Sequence, residues 1–197
     1  MILHKHKFIL VHIPRTGGSS IEQMLRGEQM GGFRDYHKET FEEFSERTRL
    51  YEKHLTATQI RDMCPKWDTY FKFSMVRNPW CRVACMYHMP FYERINILSG
   101  KTLSYFMSQW SPEEWESTDP QCSAYLDDKV DYIGRFENYR EECRLLCEKL
   151  DVPFSLPHLE KTEHDHYSKY YNAETRELVG AMFADDIIRF GYEFETR

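Results

Sequence analysis

The sequence predicts an α/β fold, and three observations carry that prediction. Runs of strand length occur at Phe8–Ile13, which is continuously apolar but for His12, at Tyr70–Val76, with aromatic and β-branched content, and at Val130–Arg135. Each run leads directly into a segment of helical pattern, beginning near Ser20, Pro79 and Phe136 respectively. With 197 residues, 41% of them hydrophobic and 15% aromatic, the chain is long enough for one well-buried core and short for two, so a single domain covering residues 1–197 is expected.

The first strand-to-helix unit is the most informative. Phe8–Ile13 is an apolar run and Ser20–Leu25 a helix, which leaves Pro14-Arg-Thr-Gly-Gly-Ser-Ser20 as a tight turn between them. Gly17 and Gly18 let the backbone curl and approach a ligand, and Thr16, Ser19 and Ser20 add hydroxyl donors. The amides of a helix's first turn attract anions, and Arg15 supplies positive charge. The same glycine pair also fits a plain turn. A nucleotide-binding loop of the Walker type requires Gly-Lys-Ser/Thr, and no lysine follows these glycines.

The stretch His12-Ile-Pro-Arg-Thr-Gly-Gly-Ser-Ser20 resembles the 5′-phosphosulfate loop of sulfotransferases, above all the carbohydrate sulfotransferases and their bacterial relatives. That resemblance implies a P-loop-like central parallel β-sheet flanked by α-helices. It also implies a co-substrate, 3′-phosphoadenosine 5′-phosphosulfate (PAPS), and no metal. Relatives usually carry lysine where this chain has Arg15. Arginine stabilises charge but cannot donate a proton near neutral pH.

Composition bounds the remaining possibilities. A net charge of −6 argues against a general nucleic-acid binder, which needs a basic face. Six cysteines, at positions 64, 81, 85, 122, 143 and 147, form no Cys-x-x-Cys pair and fit free thiols in a reducing compartment. No run approaches the ~20 apolar residues of a membrane span, and the start lacks the apolar core of a signal peptide. Golgi members of the family it resembles carry a membrane anchor, so the resemblance implies a cytoplasmic relative or an isolated catalytic domain.

Further along, residues 27–32 form a glycine-bearing break, and residues 33–51 a polar, aromatic loop with a short helix around 41–47 on the acceptor side. His54-Leu-Thr-Ala-Thr-Gln-Ile-Arg61 follows, with Thr56 or Thr58 able to cap a helix reaching Met63. Lone histidines are more often surface residues than catalysts. Here Lys53-His-Leu-Thr56 resembles the family segment that presents a catalytic histidine, so the resemblance implies His54 as general base.

The second strand ends in Arg77-Asn-Pro-Trp80. Asn78 and Pro79 start a helix with Trp80, Val83, Ala84, Tyr87 and Phe91 on one face, which Pro90 should kink or end. An arginine at the carboxyl end of a strand sits where open α/β sheets bind ligands. Arg77 resembles the family's 3′-phosphate arginine, which is followed eight residues later by serine. This chain has Cys85 there, a weaker hydrogen-bond donor.

A helix is expected over 103–110. Trp110 and Trp115 fit core packing better than stacking on a sugar. After the third strand, the helix from Phe136 places Tyr139, Cys143, Leu146, Cys147 and Leu150 on one face, so Cys143 and Cys147 read as packing and not as metal ligands. Ile133-Gly-Arg-Phe-Glu-Asn138 again resembles the bacterial family. Arg135 either supports a phosphate pocket or pairs with Glu137, the second being favoured.

Residues 153–157 form a linker. Leu156-Pro-His-Leu-Glu-Lys-Thr162 then resembles the family loop closing over the 3′-phosphate, with Lys161 carrying the charge. His164 and His166, one residue apart, are accompanied by no acidic or thiol cluster and fit a solvated loop better than a metal site. A final helix is expected from the Asn172 cap to Gly191, with Leu178, Val179, Met182, Phe183 and Ile187 as its stripe.

Taken as a whole, the resemblance implies PAPS-dependent sulfuryl transfer to a hydroxyl, first on a carbohydrate, second on a small alcohol or phenol. Arg15, Thr16, Gly17, Gly18, Ser19 and Ser20 would hold the 5′-phosphosulfate. Arg77, Cys85 and Lys161 would hold the 3′-phosphate. The expected partner is a hydroxyl-bearing acceptor of glycan type, with no nucleic acid and no membrane. Arg15 and Cys85 also leave open a degenerate homologue that binds PAPS or adenosine 3′,5′-bisphosphate without turnover. A magnesium-dependent kinase is the remaining alternative.

Overall fold

The computed structural model describes residues 1–26, 54–88, 102–109, 121–156 and 165–196. Its centre is a four-stranded sheet in the order β1 (Ile2–Leu3), β2 (Phe8–Val11), β3 (Phe71–Val76) and β4 (Tyr132–Arg135). β1 folds back antiparallel on β2 through a short turn, which Lys7 completes with a left-handed φ of 48°. β2, β3 and β4 run parallel, with Leu10 opposite Phe73 and Met75 opposite Gly134. Parallel pairing requires long crossovers, and the three expected strands lie far enough apart in sequence to supply them. The expected α/β fold with a mostly parallel sheet flanked by helices is therefore observed.

β2, β3 and β4 are each shorter than the run expected for them. His12 and Ile13 are as buried as β2 itself but leave the ladder, because the pairing with β3 stops at Val11–Ser74 and Pro14 follows. The hydroxyl of Ser74, the polar residue inside β3, donates to the Val11 carbonyl at 2.8 Å, so its burial is compensated.

The chain divides into two compact units, Met1–Val76 with Tyr125–Leu159, and Arg77–Ala124 with Glu160–Arg197. In the first, α1 (Gly18–Arg26) and α6 (Tyr139–Leu150) cover one face of the sheet. Ile21, Met24 and Leu25 meet Phe8, Leu10, Phe73 and Met75, and Cys143, Leu146 and Cys147 close the cluster. The expected face of the 139–150 helix is thus the buried one. α2 (Ala57–Met63) starts at Thr56, whose side chain and that of Gln59 bond reciprocally to each other's backbone amides.

The second unit holds α3 (Pro79–Tyr87), α4 (Leu103–Met107), the single turn α5 (Cys122–Tyr125), α7 (Ala173–Met182) and α8 (Ala184–Phe190). Trp80, Val83, Ala84, Leu103, Phe106, Tyr167, Val179 and Phe183 build its core. α3 begins as expected, with the Asn78 side chain accepting from the Trp80 and Cys81 amides. It ends at Tyr87; Phe91 and Pro90 lie outside the described residues, as do Trp110, Trp115, Lys161, His164 and the 27–51 segment.

The final helix is a correction. It is two helices, broken at Phe183, where the backbone turns to φ −115° and ψ 32°. The turn carries Asp186 into the interior, where its carboxylate accepts the Cys122 and Ser123 amides at 2.7 Å each. A buried carboxylate needs such donors, and capping α5 supplies them. Leu178, expected in the stripe, is 39% exposed.

All six cysteines are free thiols. Burial is the main force pushing the Cys122 thiol up to about 12, with Arg82 opposing and Asp186 adding to the rise. The unfolded chain's thiol loses its proton near pH ~8.5 while the folded one keeps it, so stability is unaffected below that pH and falls above it, by about 1.4 kcal/mol per pH unit until about pH 12. Urea unfolding between pH 8 and 11 should show this fall, and Cys122→Ala should flatten the slope relative to the parent. Equal slopes would mean that Cys122 ionises alike in both states.

Candidate functional site

The turn between β2 and α1 is built by its own side chains. Arg15 takes the left-handed conformation, φ 64°, and Gly17 lies at φ 83°, so two reversals within three residues bring the chain from strand to helix. Thr16 is 1% exposed and its hydroxyl donates to the Ile13 carbonyl at 2.9 Å. The Gly17 carbonyl accepts the amides of Ser20 (3.1 Å) and Ile21 (3.3 Å), so α1 starts at Gly18, two residues before the expected Ser20.

Both glycines are demanded by packing. A Cβ on Gly17 would lie 2.4 Å from the Tyr139 ring, and one on Gly18 would lie 2.3 Å from the His12 ring. The glycine pair is expected to allow close approach of a ligand; the groups that approach the two Cβ positions are Tyr139 and His12. The Thr16 hydroxyl hydrogen and the Ser20 amide are engaged inside the turn, and Ser20's hydroxyl bonds to Tyr139. These groups shape the loop.

Tyr139 was not legible as a loop residue. It opens α6, and its hydroxyl donates to the Gly17 carbonyl at 2.6 Å across 122 positions of sequence. Burial, the leading cause, holds its phenol well above the ordinary tyrosine range, so it remains a donor. No local pattern pairs position 139 with position 17. The nearest signal was that a tyrosine stands on an otherwise apolar helix face.

His12 is the second unforeseen element. It is 3% exposed and its Nδ1 contacts Glu22 Oε1 at 2.9 Å, the carboxylate being carried by α1. His54 packs edge-on against it, ring centroids 4.8 Å apart, and His54 Nδ1 lies 3.1 Å from the His12 carbonyl. A carbonyl only accepts, so Nδ1 of His54 carries the hydrogen, and in the neutral ring the lone pair is on Nε2. The fold thus brings His54 to the base of the glycine turn with Nδ1 committed to the His12 carbonyl.

Within the second unit, Arg77 is 6% exposed. Its Nε and Nη2 donate to the Cys81 sulfur at 3.3 and 3.2 Å, and a further hydrogen bond joins it to Cys85. Residues 77, 81 and 85 are spaced so that both thiols meet one guanidinium. Cys85 is the thiol that the motif's eight-residue spacing marks; Cys81, four residues after Arg77, has no part in that motif. Among the described residues, no group of three or more His, Cys, Asp or Glu side chains could hold a metal, and no helix is long and apolar enough to cross a membrane.

No family model and no curated protein sequence matches the chain. Among solved structures, it is similar to a sulfotransferase from Alicyclobacillus acidocaldarius, with a TM-score of 0.49 and 15% identity over 95% of this chain and 96% of that one. A likeness of that degree says nothing about chemistry, which rests on the residues described above.

Proposed function

We propose that residues 1–197 form one cytoplasmic catalytic domain that transfers a sulfuryl group from PAPS to a hydroxyl, of a carbohydrate first and of a small alcohol or phenol second. The observation that carries this reading is His54, held at the glycine turn with Nδ1 bonded to the His12 carbonyl. PAPS, when bound, supplies an activated sulfuryl group on a phosphate leaving group.

In this reading the chain positions two oxygens and neutralises the charge that moves between them. Arg15 and the amides of Gly17, Gly18 and Ser19 face the 5′-phosphosulfate. Thr16 and Ser20 hold the turn in shape through Ile13 and Tyr139. His54 Nε2 takes the acceptor's proton. Arg77 and, by the family resemblance, Lys161 bind the 3′-phosphate, and Cys85 stands where relatives carry serine.

A second reading, binding of adenosine 3′,5′-bisphosphate without turnover, is favoured by one feature. Two N–H groups of Arg77 go to Cys81, and a phosphate has to compete for them.

Calorimetric titration of adenosine 3′,5′-bisphosphate, with ATP plus magnesium as control, tests the donor site. Saturable binding of the bisphosphate alone is expected, weakened about 10- to 100-fold in Arg77→Ala, the worth of charge-assisted hydrogen bonds. Binding of ATP only with magnesium would favour a kinase. No binding of either ligand would remove the sulfotransferase reading.

A further inference from the structure

Arg77 and its two cysteines hold a chemistry that sulfuryl transfer does not use. Arginine has five N–H donors and no acceptor, so in its contacts with Cys81 the sulfur must accept. Two nitrogens of the guanidinium, Nε at 3.3 Å and Nη2 at 3.2 Å, converge on that one atom. A neutral thiol is a weak acceptor, whereas a thiolate accepts two charge-assisted N–H bonds well. The fork therefore favours the anionic, nucleophilic form of Cys81.

Access sets Cys81 apart from most other thiols of the chain. Cys64, Cys122, Cys143 and Cys147 are at most 4% exposed, while Cys81 and Cys85 are partly exposed. Burial also pushes Cys122 and Cys143 up to about 12 and raises Cys147, which keeps these three protonated. One protein thus carries inert core thiols beside a guanidinium-held one, an internal comparison under identical conditions.

We propose that Cys81 is a peroxide-reactive site, oxidised reversibly to sulfenic acid by hydrogen peroxide or an organic hydroperoxide. The Cys81 sulfur attacks one peroxide oxygen; the S–O bond forms as the O–O bond breaks. Sulfur loses two electrons and the peroxide gains them, and the departing hydroxide or alkoxide takes up a proton to leave as water or alcohol. The assignment is independent of whether the chain transfers sulfuryl groups.

The test exposes the reduced, full-length protein to substoichiometric hydrogen peroxide with dimedone, and follows each cysteine by peptide mass spectrometry. Trypsin cuts after Arg82, which places Cys81 and Cys85 on separate peptides. Cys81 is expected to be labelled ahead of the other five thiols, and Arg77→Gln to slow its labelling about tenfold, the worth of one charge-assisted hydrogen bond to the anion. Faster labelling of Cys85 or of any buried cysteine would overturn the proposal, as would an unchanged rate in a folded Arg77→Gln protein. Should Arg77→Gln not fold, the ranking of the six thiols in the unaltered protein decides it.

Discussion

Gly18→Ala is expected to destabilise the protein by about 3 kcal/mol, the upper range for forcing a methyl group into a filled site. Its Cβ would come within 2.3 Å of the His12 ring, where no real contact exists. The ring cannot yield, because His12 is 3% exposed and held by Glu22 at 2.9 Å from within α1 itself. That loss is a large share of the ~5–15 kcal/mol that keeps a domain folded.

Gly180→Ala supplies the control, since its Cβ would meet only Trp80 at 3.5 Å, an ordinary contact, inside α7. There alanine is the better helix former, and a gain of up to about 1 kcal/mol is expected. Urea denaturation of both variants checks the pair. A Gly18→Ala protein as stable as the parent would mean that His12 is not locked and that the turn is softer than its hydrogen bonds indicate.

The second large effect falls on turnover. If His54 removes the acceptor's proton, His54→Ala should lower kcat by about 10²–10⁴-fold, the usual worth of a positioned base. Affinity for adenosine 3′,5′-bisphosphate should stay within about threefold, because a base in that role would meet the acceptor and not the donor. Exogenous imidazole should restore part of the lost rate, which a merely structural role would not allow. The measurement is steady-state transfer from PAPS to a panel of mono- and oligosaccharides. A His54→Ala enzyme within tenfold of the parent would displace His54 from the base's role.

Much of the scaffold was readable because it depends on short-range chemistry. The three expected runs became strands, two of them, β2 and β3, buried along nearly their whole length as parallel strands in a core are, and Asn78 and Asn172 capped the helices they precede. The Cys143–Cys147 face proved to be core because residues one turn apart share a side of a helix. The single helix expected from Asn172 to Gly191 failed for the opposite reason. Its break at Phe183 serves Asp186, whose partners are amides more than 60 positions away.

The candidate site divides along the same line. By itself the sequence determined which residue types stand in which order, and so which residues are candidates for the chemistry: the loop Arg15-Thr-Gly-Gly-Ser-Ser20, His54 and Arg77. Tertiary structure alone decided what each of them does locally. It turned the Thr16 hydroxyl inward, set Tyr139 against Gly17, fixed the His54 tautomer through the His12 carbonyl and gave Arg77 the sulfur of Cys81. Composition and spacing encode which groups are present, but a hydrogen bond between positions 17 and 139 exists only once folding has brought the two together.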